Sequence, residues 1–224
     1  MARHDRLDVL LTLREDGLIP IFDSADPTAA CAALDACRAG GARVFELACR
    51  TPEAPEVFRA LRRHARVSAP EMMVGVGTIC DAAMASRYID EGADFVVSAI
   101  LDGAMARVCH RRKVAWIPGC ATPSEVSAAE ALGAELVKLF PAQIAGGPAL
   151  VKALRGPSPW TRIVASGGVK ATKDDISAWF SAGTTVVGLG SGLFAGVKDG
   201  APFPIDAVTE RTKQVLAWIR EARD

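Results

Sequence analysis

Ala134-Glu135-Leu136-Val137-Lys138-Leu139-Phe140-Pro141-Ala142 is an apolar run with one lysine near its end. In an extended strand successive side chains face opposite sides, so Leu136, Lys138 and Phe140 share one face, and Val137 and Leu139 share the other. Both faces are apolar apart from the amine. Such a strand belongs in a parallel sheet covered on both sides, where a lysine has to be desolvated or paired. Desolvation and a neighbouring cation each lower a lysine pKa, which enlarges the neutral, nucleophilic fraction that Schiff-base chemistry needs. A lysine paired with a buried carboxylate, or one reaching out to water, fits this strand equally well.

Outward from this run the same alternation of strand and helix repeats. Before it lie strand-like segments at Leu18–Phe22, 42–48, 71–77, 94–98 and 114–119, and after it at 162–165 and 184–188. Helical spacing or helix-start chemistry marks 28–39, the stretch opened by Cys49-Arg50-Thr51-Pro52, 81–90, 102–112, 124–132, 148–154, 174–181 and 204–222. Eight strands alternating with helices predict an α/β fold, a single (β/α)8 TIM barrel forming one domain over residues 1–224. A leading amphipathic helix that begins near Arg6 and stops before Gly17 is expected to cap one end of it. The alternative is an open doubly wound sheet. Its Gly-rich dinucleotide loop would follow the first strand, and Phe22-Asp23-Ser24-Ala25 does not resemble one.

Composition narrows the partner. Lys and Arg number 26 against 26 Asp and Glu, so no net charge favours nucleic acid or a membrane surface, and a small molecule is the expected ligand. No stretch reaches the ~18 apolar residues of a membrane span, and the charged N-terminal segment lacks a signal-peptide core, which together predict a cytoplasmic protein. The six cysteines show no metal-ligand spacing and are read as buried free thiols; His4, His64 and His110 are read as solvated, with no role.

In a barrel of this kind chemistry sits where strands end and the following loops begin. Glu46 in the second strand is a carboxylate in an apolar segment, inward-facing if Val44 and Ala48 are, and Arg50 has the same parity just beyond. A structural ion pair with Lys138 is the bland account of Glu46, and a solvated loop is that of Arg50. Gly75-Val76-Gly77-Thr78 places a hydroxyl where glycines permit close approach, or an ordinary helix cap. Pro118-Gly119-Cys120 reads as pocket wall. Ser166-Gly167-Gly168-Val169 and Gly188-Leu189-Gly190-Ser191-Gly192 read as glycine-rich turns entering new helices at the seventh and eighth strands, the phosphate position of this barrel. Tight turns without a ligand are the other account.

Taken together, Glu46 with Arg50 and Thr51, Gly75 to Thr78, Ile117 to Thr122, Lys138 to Ala142, Ser166 to Val169 and Gly188 to Ser191 resemble the 2-keto-3-deoxy-6-phosphogluconate / 4-hydroxy-2-oxoglutarate aldolase family, across nearly the whole chain. The resemblance implies a class I aldolase, a carbon–carbon lyase that needs no metal or other cofactor and assembles as a homotrimer. It implies Lys138 as the Schiff-base lysine and Glu46 as general acid/base, acting in part through a bound water. Arg50 and Thr78 would hold the pyruvate carboxylate, and Pro118 and Phe140 would wall the pocket. Phosphate would lie on the backbone of Gly167, Gly168, Gly190 and Ser191, with Ser166 as a candidate helper. Two departures bear on aldehyde specificity: Ala99 stands where many relatives have proline, and Asp23 where relatives often have an aliphatic residue or arginine.

The reaction so implied is cleavage of a 2-keto-3-deoxy-6-phospho sugar acid to pyruvate and glyceraldehyde 3-phosphate, or of 4-hydroxy-2-oxoglutarate to pyruvate and glyoxylate. A phosphate-binding epimerase or isomerase barrel, or a non-catalytic sugar-phosphate binder, are the competing readings. No histidine at a strand end serves the first, and a binder has no need of a desolvated amine.

Overall fold

A computed structural model describes residues 2–198 and 200–224. The chain opens with helix α1 (Arg6–Asp16), and then β1 (Leu18–Phe22), α2 (Pro27–Ala39), β2 (Val44–Ala48), α3 (Ala54–Ser68), β3 (Met73–Ile79), α4 (Ala82–Asp90), β4 (Phe95–Ser98) and α5 (Gly103–Arg111) alternate. Next come β5 (Ala115–Ile117), β6 (Gly119–Cys120), α6 (Pro123–Ala131), β7 (Val137–Leu139), α7 (Ala142–Ala145), α8 (Gly147–Arg155), β8 (Ile163–Ser166), α9 (Lys173–Ser181), β9 (Val186–Leu189) and α10 (Ile205–Arg223). Local chemistry starts these helices where it should. Asp5, Asp26, Asp81 and Asp102 each accept backbone N–H groups as N-caps, and Thr122 with Glu125 forms a capping box at α6.

All ladders are parallel, in the order β5-β4-β3-β2-β1-β9-β8-β7-β6. The two edges of that order are halves of one expected strand, 114–119, interrupted at Pro118. Proline has no N–H to give the ladder, so β5 pairs with β4 below the break and β6 pairs with β7 above it. The Lys138 N–H donates to the Pro118 carbonyl at 2.8 Å, and the chain through Pro118 thereby closes the (β/α)8 barrel. What reads as eight strands in the sequence is nine segments among the described residues, with the same closure.

Alternating side chains divide the core in two. Val137 and Leu139 join the layer between sheet and helices, whereas Leu136 faces inward with Ile19, Val44, Phe95, Ile117, Val164 and Val186. Val9 and Leu13 of α1, both fully buried, complete this inner cluster, so α1 plugs one end of the barrel. Burying each such side chain contributes about 1.5–3 kcal/mol. Beside the plug, Asp94 at the start of β4 is fully buried, pairs with Arg62 at 2.9 Å and accepts the backbone N–H groups of Arg3, His4 and Val74. With one end filled by apolar side chains and a buried ion pair, the opposite end is left for chemistry.

The free thiols are not all buried: Cys80 is exposed just past β3, where its Sγ lies 3.3 Å from the Thr78 carbonyl, and Cys31 is half-buried. Nor are the histidines fully solvated. His4 and His110 each bury an Nε2, and His64 meets Asp35 at 2.9 Å; none lines the cleft described next.

Candidate active site

A cleft of about 1590 Å³ opens at the end of the barrel where the strands terminate. Its floor is set by strand parity. Glu46 stands opposite Gly75 in the β2–β3 ladder and Ile21 in the β1–β2 ladder, and Lys138 stands between Gly119 and Val164. Lys138 is 6 % exposed and Glu46 is 2 % exposed. Burial pushes the Lys138 amine below the usual lysine range, with Arg50 adding to the effect and Glu46 opposing it. Burial likewise raises the Glu46 carboxyl, against the pull of Lys138 and Arg50. Among the described residues the two form no ion pair within 4.0 Å, and both line one cleft. The amine also lies 4.7 Å from the centre of the Phe140 ring, a cation–π distance.

Gly77 is what lets Glu46 be there. A Cβ at position 77 would stand 1.7 Å from Glu46 Oε1, so the carboxylate occupies the space a side chain would take. Thr78 follows with φ 62°, a left-handed conformation that a β-branched residue adopts only when its surroundings impose it. The β3–β4 register shifts at this point, between Val76 and Ile79, and the irregularity turns Thr78 toward the cleft. Arg50, past the end of β2, also lines the cleft and keeps a half-exposed guanidinium 3.6 Å from Asp23 Oδ2.

Ser166, Gly167, Gly168, Gly190 and Ser191 line the opposite side. At Gly168, with φ 90°, a Cβ would meet the Gln143 Cβ at 2.5 Å, and the loop is tied down where the Gln143 N–H donates to the Gly167 carbonyl at 3.0 Å. These loops do not run straight into helices as the sequence suggests. Residues 191–196 form successive turns, and α9 begins at Lys173, one residue before the expected 174. Backbone N–H groups and the cation of Lys170, which also lines the cleft, are therefore what an anion would meet.

Of the eleven residues singled out from the sequence, ten line this one cleft. Pro118 does not; it is spent on closing the barrel. The Ala99 backbone packs within 2.4 Å of where a Cβ of Gly119 would stand, and Ala99 forms the wall instead. Sequence reasoning did not place Ile21, Ser24, Asp26, Lys170 or Phe194 in the site. Lys170 carried a signal, since it sits two residues beyond Gly168 in the same loop. Phe194 carried none: it reaches the site by packing on Phe22, with ring centres 4.7 Å apart.

The family model described as KDPG and KHG aldolase matches residues 9–199. The chain belongs to this family. A 2-dehydro-3-deoxy-phosphogluconate aldolase of Pseudomonas aeruginosa is 32 % identical over 164 residues, covering 73 % of this chain and 72 % of that protein. A solved 2-keto-3-deoxy-6-phosphogluconate aldolase of Zymomonas mobilis, with 3-phosphoglycerate, superposes with TM-score 0.80 at 26 % identity, covering 94 % of this chain and 96 % of the other. A KDPG aldolase of Legionella pneumophila, with pyruvate captured as a covalent carbinolamine, superposes with TM-score 0.80 at 25 % identity, covering 91 % and 96 %.

Proposed function

We infer that this chain is a class I aldolase that cleaves a 2-keto-3-deoxy-6-phospho sugar acid to pyruvate and glyceraldehyde 3-phosphate. The observation that carries the reading is Lys138: an amine buried in the floor of an open cleft and held below its usual pKa, beside a buried carboxyl held above its own. Such a pair of opposite shifts marks groups set up for proton transfer and nucleophilic attack.

In this reading neutral Lys138 attacks the C2 carbonyl carbon of the keto acid, and loss of water from the carbinolamine gives a protonated imine. Glu46, directly or through a water, takes the C4 hydroxyl proton. The C3–C4 bonding electrons move into the imine, the C4 carbonyl forms and the aldehyde leaves. Protonated Glu46 returns its proton to C3 of the enamine, and water hydrolyses the imine to release pyruvate and the free amine. Arg50 holds the C1 carboxylate, helped by the Thr78 hydroxyl. Phe140 borders the reacting carbons, and Gly167, Gly168, Gly190 and Ser191, with Ser166, take the phosphate through backbone N–H groups. The same pocket chemistry serves 4-hydroxy-2-oxoglutarate, as the second half of the family's description suggests. A homotrimer of one-domain subunits in the cytoplasm completes the proposal; among the described residues no helix is long and apolar enough to cross a membrane.

The test is intact-protein mass spectrometry after borohydride reduction with pyruvate, together with pyruvate release from 2-keto-3-deoxy-6-phosphogluconate. A pyruvate-sized adduct that maps to Lys138 and is absent from Lys138→Ala supports the reading. A folded wild type that forms no adduct overturns it.

A further inference from the structure

We propose that Asp23 is a specificity-determining residue that reads the aldehyde half of the substrate, favouring hydroxylated aldehydes over those with a carboxylate next to the carbonyl. The inference rests on the aldolase reading above.

Asp23 follows β1 and lines the cleft. Its neighbours on the two sides are the two ends of the proposed substrate site. On the β2 side, Arg50 Nη1 lies 3.6 Å from Asp23 Oδ2. On the other side, β1 pairs with β9 through Pro20 and Leu189, and the Cβ position at Gly190 comes 3.6 Å from the Ile21 carbonyl. Asp23, at the end of the strand between those two neighbours, lines the cleft that a carbon chain from a carboxylate on Arg50 to a phosphate at Gly190 and Ser191 would occupy.

The acid is also free to act. The 3.6 Å contact with Arg50 is an ionic approach too long for a hydrogen bond, and among the described residues neither Asp23 oxygen accepts one. One-third of its side chain is exposed, into the cleft. An ionised carboxylate is an acceptor only, so it suits hydroxyl donors on the aldehyde fragment. The same charge repels a carboxylate attached at C4, as in 4-hydroxy-2-oxoglutarate, while a terminal phosphate lies farther along on the glycine loops. One residue thus supplies an attraction for one substrate class and a repulsion for the other.

The experiment compares kcat/KM for pyruvate release from 2-keto-3-deoxy-6-phosphogluconate and from 4-hydroxy-2-oxoglutarate in wild type, Asp23→Asn and Asp23→Ala. Both variants are expected to shift the ratio toward 4-hydroxy-2-oxoglutarate by about tenfold or more, from removal of a like charge at close range. Asp23→Ala, which also loses the acceptor, is expected to lose more than Asp23→Asn on the hydroxylated substrate. An unchanged ratio, with both substrates altered alike or neither altered, overturns the proposal by showing that Asp23 acts at most through Arg50. Borohydride trapping of pyruvate on wild-type Lys138 is run alongside. Its failure removes the aldolase chemistry itself and is distinct from an unchanged ratio in an enzyme that traps pyruvate.

Discussion

The Glu46 carboxylate fills the space in which a side chain at Gly77 would stand, with Oε1 only 1.7 Å from the Cβ position. Glu46 is buried on β2 and Gly77 lies on the neighbouring strand β3, so the carboxylate and the glycine form one unit across the ladder. Gly77→Ala should therefore expel the carboxylate from its position and lower kcat at least tenfold. Pyruvate should still be trapped on Lys138, since the amine is untouched. Steady-state kinetics beside borohydride trapping separates the two effects.

Burial is the main reason the Lys138 amine titrates below the ordinary lysine range. Attack requires the neutral amine, so trapping at saturating pyruvate should rise with pH, with its midpoint below that of an ordinary lysine. Glu46 raises this pKa and Arg50 lowers it. Glu46→Gln should accordingly move the midpoint of the profile down, and Arg50→Met should move it up. Shifts of the opposite sign would remove the electrostatic account of the site.

Gly168 has φ 90° and no room for a Cβ beside Gln143. Gly168→Ala should displace the loop after β8 and raise KM for the 6-phosphorylated substrate by about tenfold or more, from roughly 1–3 kcal/mol of backbone strain. With 4-hydroxy-2-oxoglutarate, which has no phosphate, kcat/KM should change less. Parallel kinetics on the two substrates tests whether this loop holds phosphate.

At the far end of the barrel, Asp94 is the buried partner of Arg62 and of three backbone N–H groups. Asp94→Ala leaves a guanidinium buried and unpaired, a change that costs about 3–5 kcal/mol. Thermal melting should show Tm lowered by roughly 10 °C or more. Activity per folded molecule at low temperature should persist, because the site lies at the opposite end.

Much of this architecture is legible in the sequence. The period of two grouped Lys138 with Leu136 and Phe140 on one face and Glu46 with Val44 and Ala48 on another, because strand pleating fixes which side chains share a face; with both faces apolar, the structure decided which one is inner. The helices after Asp26 and Thr122 fell close to where helical spacing put them, and in the structure those two side chains cap them, a local signal from a short side chain a few residues from the N–H it satisfies. The recurrence of these local units determined the barrel.

What the chain could not announce is which distant residues share a space. Pro118 looked like pocket wall, yet its missing N–H splits the fifth strand and its carbonyl closes the barrel onto Lys138. Phe194 entered the cleft through its packing on Phe22, and Asp23 came within reach of Arg50 through β1 and β2 pairing side by side. Gly77 gave no sign that its absent side chain makes room for Glu46. The amino-acid sequence determined the elements and which side chains share a face, since those follow from neighbours along the backbone. Only the tertiary structure decided the distances and the burial that depress Lys138 and raise Glu46, since those are set by atoms far apart in the chain and close in space.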